Sequence, residues 1–173
     1  MFFATHIYFA LAALFATVPH VIAGSLTYDT ESLLLKGEPY QIRGRQTYPQ
    51  RIPRAYWSNR LALARGMGLN TAFSYPFWDE LEPGQGHFEF SGMNDMAAWY
   101  RQVHEAGLQA VIRPGLHFDG EHEWGGLPAW LSEVPGMAVR QNNRPFLDAA
   151  KSYIKALANK LNDSFIPQDG SLA

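Results

Sequence analysis

Two apolar runs, NTAFSYPFW (Asn70–Trp78) and LQAVIRPG (Leu108–Gly115), limit the possible folds more than any other part of the chain. Both are apolar along their length rather than alternating, which predicts strands buried on both faces. Between them DMAAWYRQVHEAG predicts a helix, capped by Asn94 and ended by Gly107. Upstream, Pro53 opens RAYWSNRLALARGMG, where Tyr56, Leu61, Ala64 and Met67 recur near helical spacing. Gly66 and Gly68 mark the exit of that helix. Before it, two apolar stretches flank Lys36-Gly37-Glu38-Pro39, the pattern of a β-hairpin turn. Downstream, Pro145–Leu161 reads as an amphipathic helix with Phe146, Ala149, Tyr153, Ala156 and Leu157 on one face. The order is strand–helix–strand–helix–strand–loop–helix, which predicts an α/β fold with a parallel sheet covered by helices.

In such folds the loops after the strands share one rim and carry function. SYPFWDELEP and GLHFDGEHEWGG occupy these positions. They offer the carboxylates Asp79, Glu80, Glu82, Asp119, Glu121 and Glu123 beside Tyr75, Trp78 and Trp124. Carboxylates accept charge-assisted hydrogen bonds from hydroxyls, and aromatic rings cover the C–H face of a sugar. With few cations to hold phosphate, the mixture suits a neutral carbohydrate. The same residues also fit a plain structural corner of capping carboxylates and packed aromatics, and both readings stand at this point. Glycoside hydrolysis itself needs two opposed carboxyl groups, about 5 Å apart for retention and wider for inversion.

Other chemistries find little support. His117-Phe118-Asp119 matches the H-x-D half of a two-histidine, one-carboxylate iron site, but that tripeptide is a weak signal. His122 lacks H-E-x-x-H spacing, so no metal site is expected. His6, His20, His87 and His104 read as ordinary solvated or terminal residues. There is no G-x-S-x-G elbow and no G-x-G-x-x-G turn, and Gly84-Gln85-Gly86 reads as a simple turn. The chain has no cysteine, so disulfides and thiol chemistry are excluded within it, and no cofactor is expected. A net charge of -2 gives nucleic-acid binding no electrostatic footing. The 173 residues, 47% hydrophobic, are enough for one ordinary domain with a sizeable core.

The N-terminus carries a targeting pattern. Ile7–Ile22 is an apolar run too short and too proline-interrupted for a good membrane span, and it ends in Val21-Ile22-Ala23. Residues 1–23 are therefore expected to be a cleaved signal peptide of a secreted, extracellular protein, with no stable membrane insertion. Asn162-Asp163-Ser164 is a glycosylation sequon compatible with that route.

The segments PQRIPRAYW, ARGMGLNTAFSYPFWDELEPGQGHFEFSG, AVIRPG, GEHEWGGLPAWL and PGMAVR fall in the order and spacing of a known family. From about Ser32 to Leu161 the chain resembles the N-terminal part of the catalytic barrel of glycoside hydrolase family 35, the β-galactosidases, in a fungal-like spelling. The resemblance implies a TIM (β/α)8 barrel and retaining hydrolysis of terminal non-reducing β-D-galactose from galactosides. It implies that Tyr75, in the family's T/S-Y-x-x-W element, hydrogen-bonds the galactose, and that Glu121, the first Glu of its A/G-E-x-E-x-G-G element, accepts hydroxyls of the same sugar. Gly120 sits where backbone groups line that pocket. His122, Glu123, Trp124, Gly125 and Gly126 are expected to shape the loop and hold it in position. Leu116-His117-Phe118-Asp119 stands where the family usually has P-Y-I-C.

The family's acid/base lies in an N-E-Y-type element after the next strand, and its nucleophile lies further on. SFIPQDGSLA stands in their place. Residues 24–173 are thus expected to form an incomplete catalytic barrel of about three βα units, without catalytic residues of its own and inactive alone. A fragment of that kind is expected to expose apolar strand edges and to aggregate. The competing expectations are a degenerate carbohydrate-binding protein that keeps only the Tyr75–Glu121 rim, and an unrelated α/β hydrolase acting on other glycans.

Overall fold

A computed structural model describes residues 26–162. The proposed signal segment 1–23, and Asp163 and Ser164 of the sequon, lie outside the described residues. A small antiparallel sheet comes first: β1 (Leu26–Tyr28), β2 (Leu33–Leu35) and β3 (Glu38–Pro39), in the order β1-β2-β3. The expected hairpin is there. Its two turn residues, Lys36 and Gly37, take φ of 54° and 81°, the doubly left-handed turn that matches strand twist.

The main sheet is parallel, with strands β4 (Gly44–Gln46), β5 (Thr71–Ser74) and β6 (Gln109–Ile112) side by side in that order. Each strand leads to a covering helix: β4 to α1 (Trp57–Gly66), β5 through the single turn α2 (Trp78–Leu81) to α3 (Met96–Glu105), and β6 to α4 (Arg144–Leu161). The described residues thus hold three βα units, as expected. The first strand differs from the reading, because β4 is the polar tripeptide Gly44-Arg45-Gln46 rather than an apolar run. Asn70 ties the link between the two sheets to the entry of β5. Its side chain accepts from the Arg43 amide at 2.8 Å and donates to the Gln41 carbonyl at 2.8 Å.

Several boundaries move for identifiable reasons. The strand read over Asn70–Trp78 stops at Ser74, and Pro76 interrupts the ladder before Trp78 starts α2. Asn94 does not cap α3. Asp95 does, accepting from the Ala98 amide at 3.0 Å, while Asn94 lies in the preceding 3-10 turn and donates to the Glu80 carbonyl. In α1 the buried stripe is Trp57, Leu61 and Ala64; Tyr56 and Met67 are exposed. Trp57 sets that phase, since its indole N–H donates to the carbonyls of Pro49 and Ile52 at 3.2 and 2.9 Å. In α4 the stripe is Phe146, Ala150, Tyr153, Leu157 and Leu161, with Ala149 and Ala156 half-buried at its margin.

The core lies between the parallel sheet and its helices. Trp57, Trp78, Trp99, Tyr100 and Tyr153 are buried there. Trp78 stacks on Tyr153 at 4.9 Å, and the Tyr153 hydroxyl donates to the Pro76 carbonyl at 2.7 Å. A helix late in the chain thereby holds the loop that follows the second strand.

Candidate functional site

Register decides which side chains meet on the inner face of the sheet. Gln46 pairs with Phe73 and Phe73 with Val111, so these three share one face. Two residues further along, the same face carries Tyr75 and Arg113 at the strand ends. The three strands therefore converge on one hydrogen-bonded row. The Gln46 side-chain N–H donates to the Tyr75 hydroxyl at 2.8 Å, and Arg113 donates to the same oxygen. The Tyr48 hydroxyl donates to the Gln46 carbonyl oxygen at 2.5 Å, which fixes the amide's orientation. Burial, then the neighbouring Tyr75, raises the Tyr48 hydroxyl above its usual value, with Arg51 opposing and Glu121 reinforcing.

Tyr75 itself is buried in a ring cluster. Tyr48, Phe118 and Phe77 lie 5.2, 5.4 and 6.1 Å from its centre, and the Arg113 guanidinium sits 4.9 Å over its face. Phe118, from the stretch that departs from the family spelling, is fully buried and fills the floor under this cluster.

The loop after β6 folds over that row. Gly120 is buried with its Cα side toward the rings; a Cβ there would lie 3.6 Å from Phe77 and 3.7 Å from Tyr75. Arg51 reaches across and donates to the carbonyls of Gly120 and Glu121 at 2.6 and 3.1 Å. The Glu121 side chain is exposed, and among the described residues its carboxylate has no hydrogen-bond partner. The structure thus brings Tyr75, Gly120 and Glu121 to one place.

The rim carboxylates separate into two groups. Glu82 is buried and accepts from the Trp78 indole at 2.6 Å and the Gly86 amide at 2.8 Å, so it stitches a turn and does not face the rim. Trp78 is likewise core, contrary to its expected place on the rim, because α2 turns its ring inward onto Tyr153. Asp79 and Glu80 both contact His122, at 3.0 and 3.1 Å. Burial raises the Asp79 carboxyl, with His122 and the Glu80 amide pulling the other way. Only Asp119, Glu121 and Glu123 are left open to solvent.

The Gly-Gly turn behaves as expected, since a Cβ on Gly125 would fall inside the His117 ring and one on Gly126 would lie 2.9 Å from Phe118. His122, also expected to hold the loop, makes the tie to Asp79 and Glu80, whereas Glu123 and Trp124 are exposed. Among the described residues, no group of three or more His, Cys, Asp or Glu side chains is placed to hold a metal ion. No described helix is long and apolar enough to cross a membrane.

The sequence reading missed Gln46, Tyr48, Arg51 and Arg113. All are polar residues at strand ends or in the adjoining turn. The available signal was the two-residue period extended past Phe73 and Val111.

Comparison with known proteins agrees with this geometry. A beta-galactosidase of Xanthomonas manihotis is 46% identical over 125 residues, covering 72% of this chain and 21% of that protein. The chain therefore spans about a fifth of that relative's length. Among solved structures, the exo-beta-1,4-mannosidase Op5Man5 of an Opitutaceae bacterium superposes with a TM-score of 0.59 at 15% identity, covering 80% of this chain and 24% of that one. The beta-galactosidase of the psychrophilic Marinomonas ef1 does so with a TM-score of 0.56 at 17% identity, covering 75% of this chain and 20% of that one. These likenesses give the fold: a partial α/β unit of the kind found in TIM-barrel glycosidases. Residues 32–173 match the profile of glycosyl hydrolases family 35, and the chain belongs to that family.

Proposed function

We propose that this chain is part of the catalytic barrel of a secreted, retaining β-galactosidase that releases terminal non-reducing β-D-galactose. Residues 1–23 act as its cleaved signal peptide, and 24–173 supply the opening βα units. The galactose sits over the Gln46–Tyr75–Arg113 row, with Tyr75 offering its hydroxyl, Gly120 lining the pocket by its backbone and Glu121 accepting sugar hydroxyls. The observation carrying this reading is the convergence of Tyr75, Gly120 and the open Glu121 carboxylate above three parallel strand ends. Glu121 accepts hydroxyls rather than attacking carbon, because it stands at a sugar-binding position of the family and not in its acid/base or nucleophile element. Glu80, Asp79 and Glu82 are already bound to His122 or Trp78.

On this reading the 173 residues supply about half of the sugar site but lack both the acid/base and the nucleophile. Loss of such groups removes the chemical step almost entirely. An aryl β-galactoside assay with this chain alone is expected to show no turnover, and turnover would overturn the placing of both catalytic groups outside these residues. In a longer polypeptide carrying the remaining barrel, Glu121→Gln is expected to abolish galactose binding. Unchanged binding would assign Glu121 elsewhere.

A further inference from the structure

The mechanism above leaves His122 unused, yet no other polar side chain of the loop is so heavily engaged. Its Nδ1 faces Asp79 at 3.0 Å and its Nε2 faces Glu80 at 3.1 Å, and its ring lies 4.3 Å from that of Phe77. Its side chain is 16% exposed. A neutral imidazole has one N–H and one lone pair, so it can donate to only one of two flanking carboxylates. The imidazolium donates to both, and each bond is then charge-assisted.

The loop needs such a hold. Asp119, Glu121 and Trp124 take φ of 52°, 49° and 49°, left-handed backbone that side chains other than glycine's resist. Three such residues within six persist only where surrounding contacts over-determine them. From one side Arg51 grips the carbonyls of Gly120 and Glu121. From the other, His122 pins the next residue to α2.

We propose that His122 is a positioning residue which, in its doubly protonated form, clamps the Gly120–Glu121 turn to α2 through Asp79 and Glu80, so that the hold on the sugar loosens as the imidazolium loses its proton. The effect on sugar rests on the galactose site proposed above; the clamp itself does not. The charged groups around the clamp are Asp79 and Glu80 on α2, Arg51 over the Phe77 ring, and Glu121 and Glu123 beside His122 in the chain. Tyr153 of α4 lies behind Asp79, its hydroxyl held well above the usual value by burial, with Tyr100, Asp79 and Glu82 adding to it. His117 pairs separately with Asp119, at 3.2 Å, and serves as the internal control.

The test measures hydrogen exchange of the peptide spanning 118–124 in the full chain between about pH 5 and 8, corrected for intrinsic rates. Protection of that peptide is expected to fall as pH rises in the wild type and in His117→Gln, and to stay level in His122→Gln. A level wild-type profile overturns the clamp, as does an unchanged slope in His122→Gln. Galactose titrations on a polypeptide carrying the whole barrel form the second arm. There the wild-type Kd is expected to rise on the order of tenfold across the range, and that of His122→Gln less than about twofold. If exchange follows pH but galactose binds at none, the clamp stands and the galactose site falls.

Discussion

Arg113 donates to the phenolic oxygen of Tyr75 while its guanidinium sits 4.9 Å over the same ring. One residue thus holds Tyr75 by both its edge and its face, and Gln46 donates to the oxygen from the opposite strand. The tyrosine is locked before any ligand arrives, so little ordering remains to be done on binding.

Tyr75→Phe removes the oxygen on which Gln46 and Arg113 converge. A stability loss of about 1 kcal/mol is expected, because Gln46 and Arg113 are both open to water in this unit and re-solvate cheaply. Chemical denaturation measures it. Galactose binding in a whole-barrel polypeptide is expected to fall further than stability does.

Glu82→Gln and Glu121→Gln are expected to separate stability from binding. The buried Glu82 accepts from two N–H groups, so an amide there sets donor against donor and costs about 1–3 kcal/mol while leaving galactose affinity intact. Glu121 is exposed, so its amide leaves stability within about 0.5 kcal/mol and removes binding. Melting curves paired with calorimetric titration show whether the two effects separate.

Glycine substitutions in the loop are expected to divide in the same way. Gly120 has ordinary contacts around a Cβ and no left-handed φ, so Gly120→Ala is expected to fold normally. Gly125 combines φ of 68° with the His117 ring where its Cβ would stand, so Gly125→Ala is expected to lose at least about 1–2 kcal/mol. Comparing the two unfolding midpoints distinguishes them.

Asp79 sets a slope of stability with pH. Burial holds its carboxyl above the ordinary 3.8, with His122 opposing. A raised carboxyl contributes stability that is fully present below the unfolded value and lost as pH rises through the folded one. Asp79→Asn is therefore expected to remove that part of the acid-range decline. Urea midpoints taken at intervals upward from about pH 3.5 give the difference between wild type and variant.

Much of the architecture was legible because its signals are local. The hairpin turn needed Gly37, the covering helices carried their apolar stripes, and β5 and β6 were continuous apolar runs. What escaped depended on partners far along the chain. Gly44-Arg45-Gln46 is polar and reads as loop, and it becomes a strand only because β5 lies beside it. Trp57 rather than Tyr56 sets the phase of α1 because two carbonyls of the preceding turn receive its indole. For the candidate site, motif position picked out Tyr75, Gly120 and Glu121, which the fold brings to one place. The division of labour among the acidic residues could not, since only the fold shows that Glu82 faces Trp78 and that His122 takes Asp79 and Glu80.

The bond from the Tyr153 hydroxyl to the Pro76 carbonyl spans 77 residues. A ribosome adding about 5–20 residues per second makes Pro76 wait roughly 4–15 s for that partner. Through that interval the Trp78 indole lacks the ring that later covers it. The rim therefore matures late during synthesis. Its shape is set when α4 docks, so translation speed across residues 77–153 governs how long the nascent rim stays open to chaperones and to misdocking.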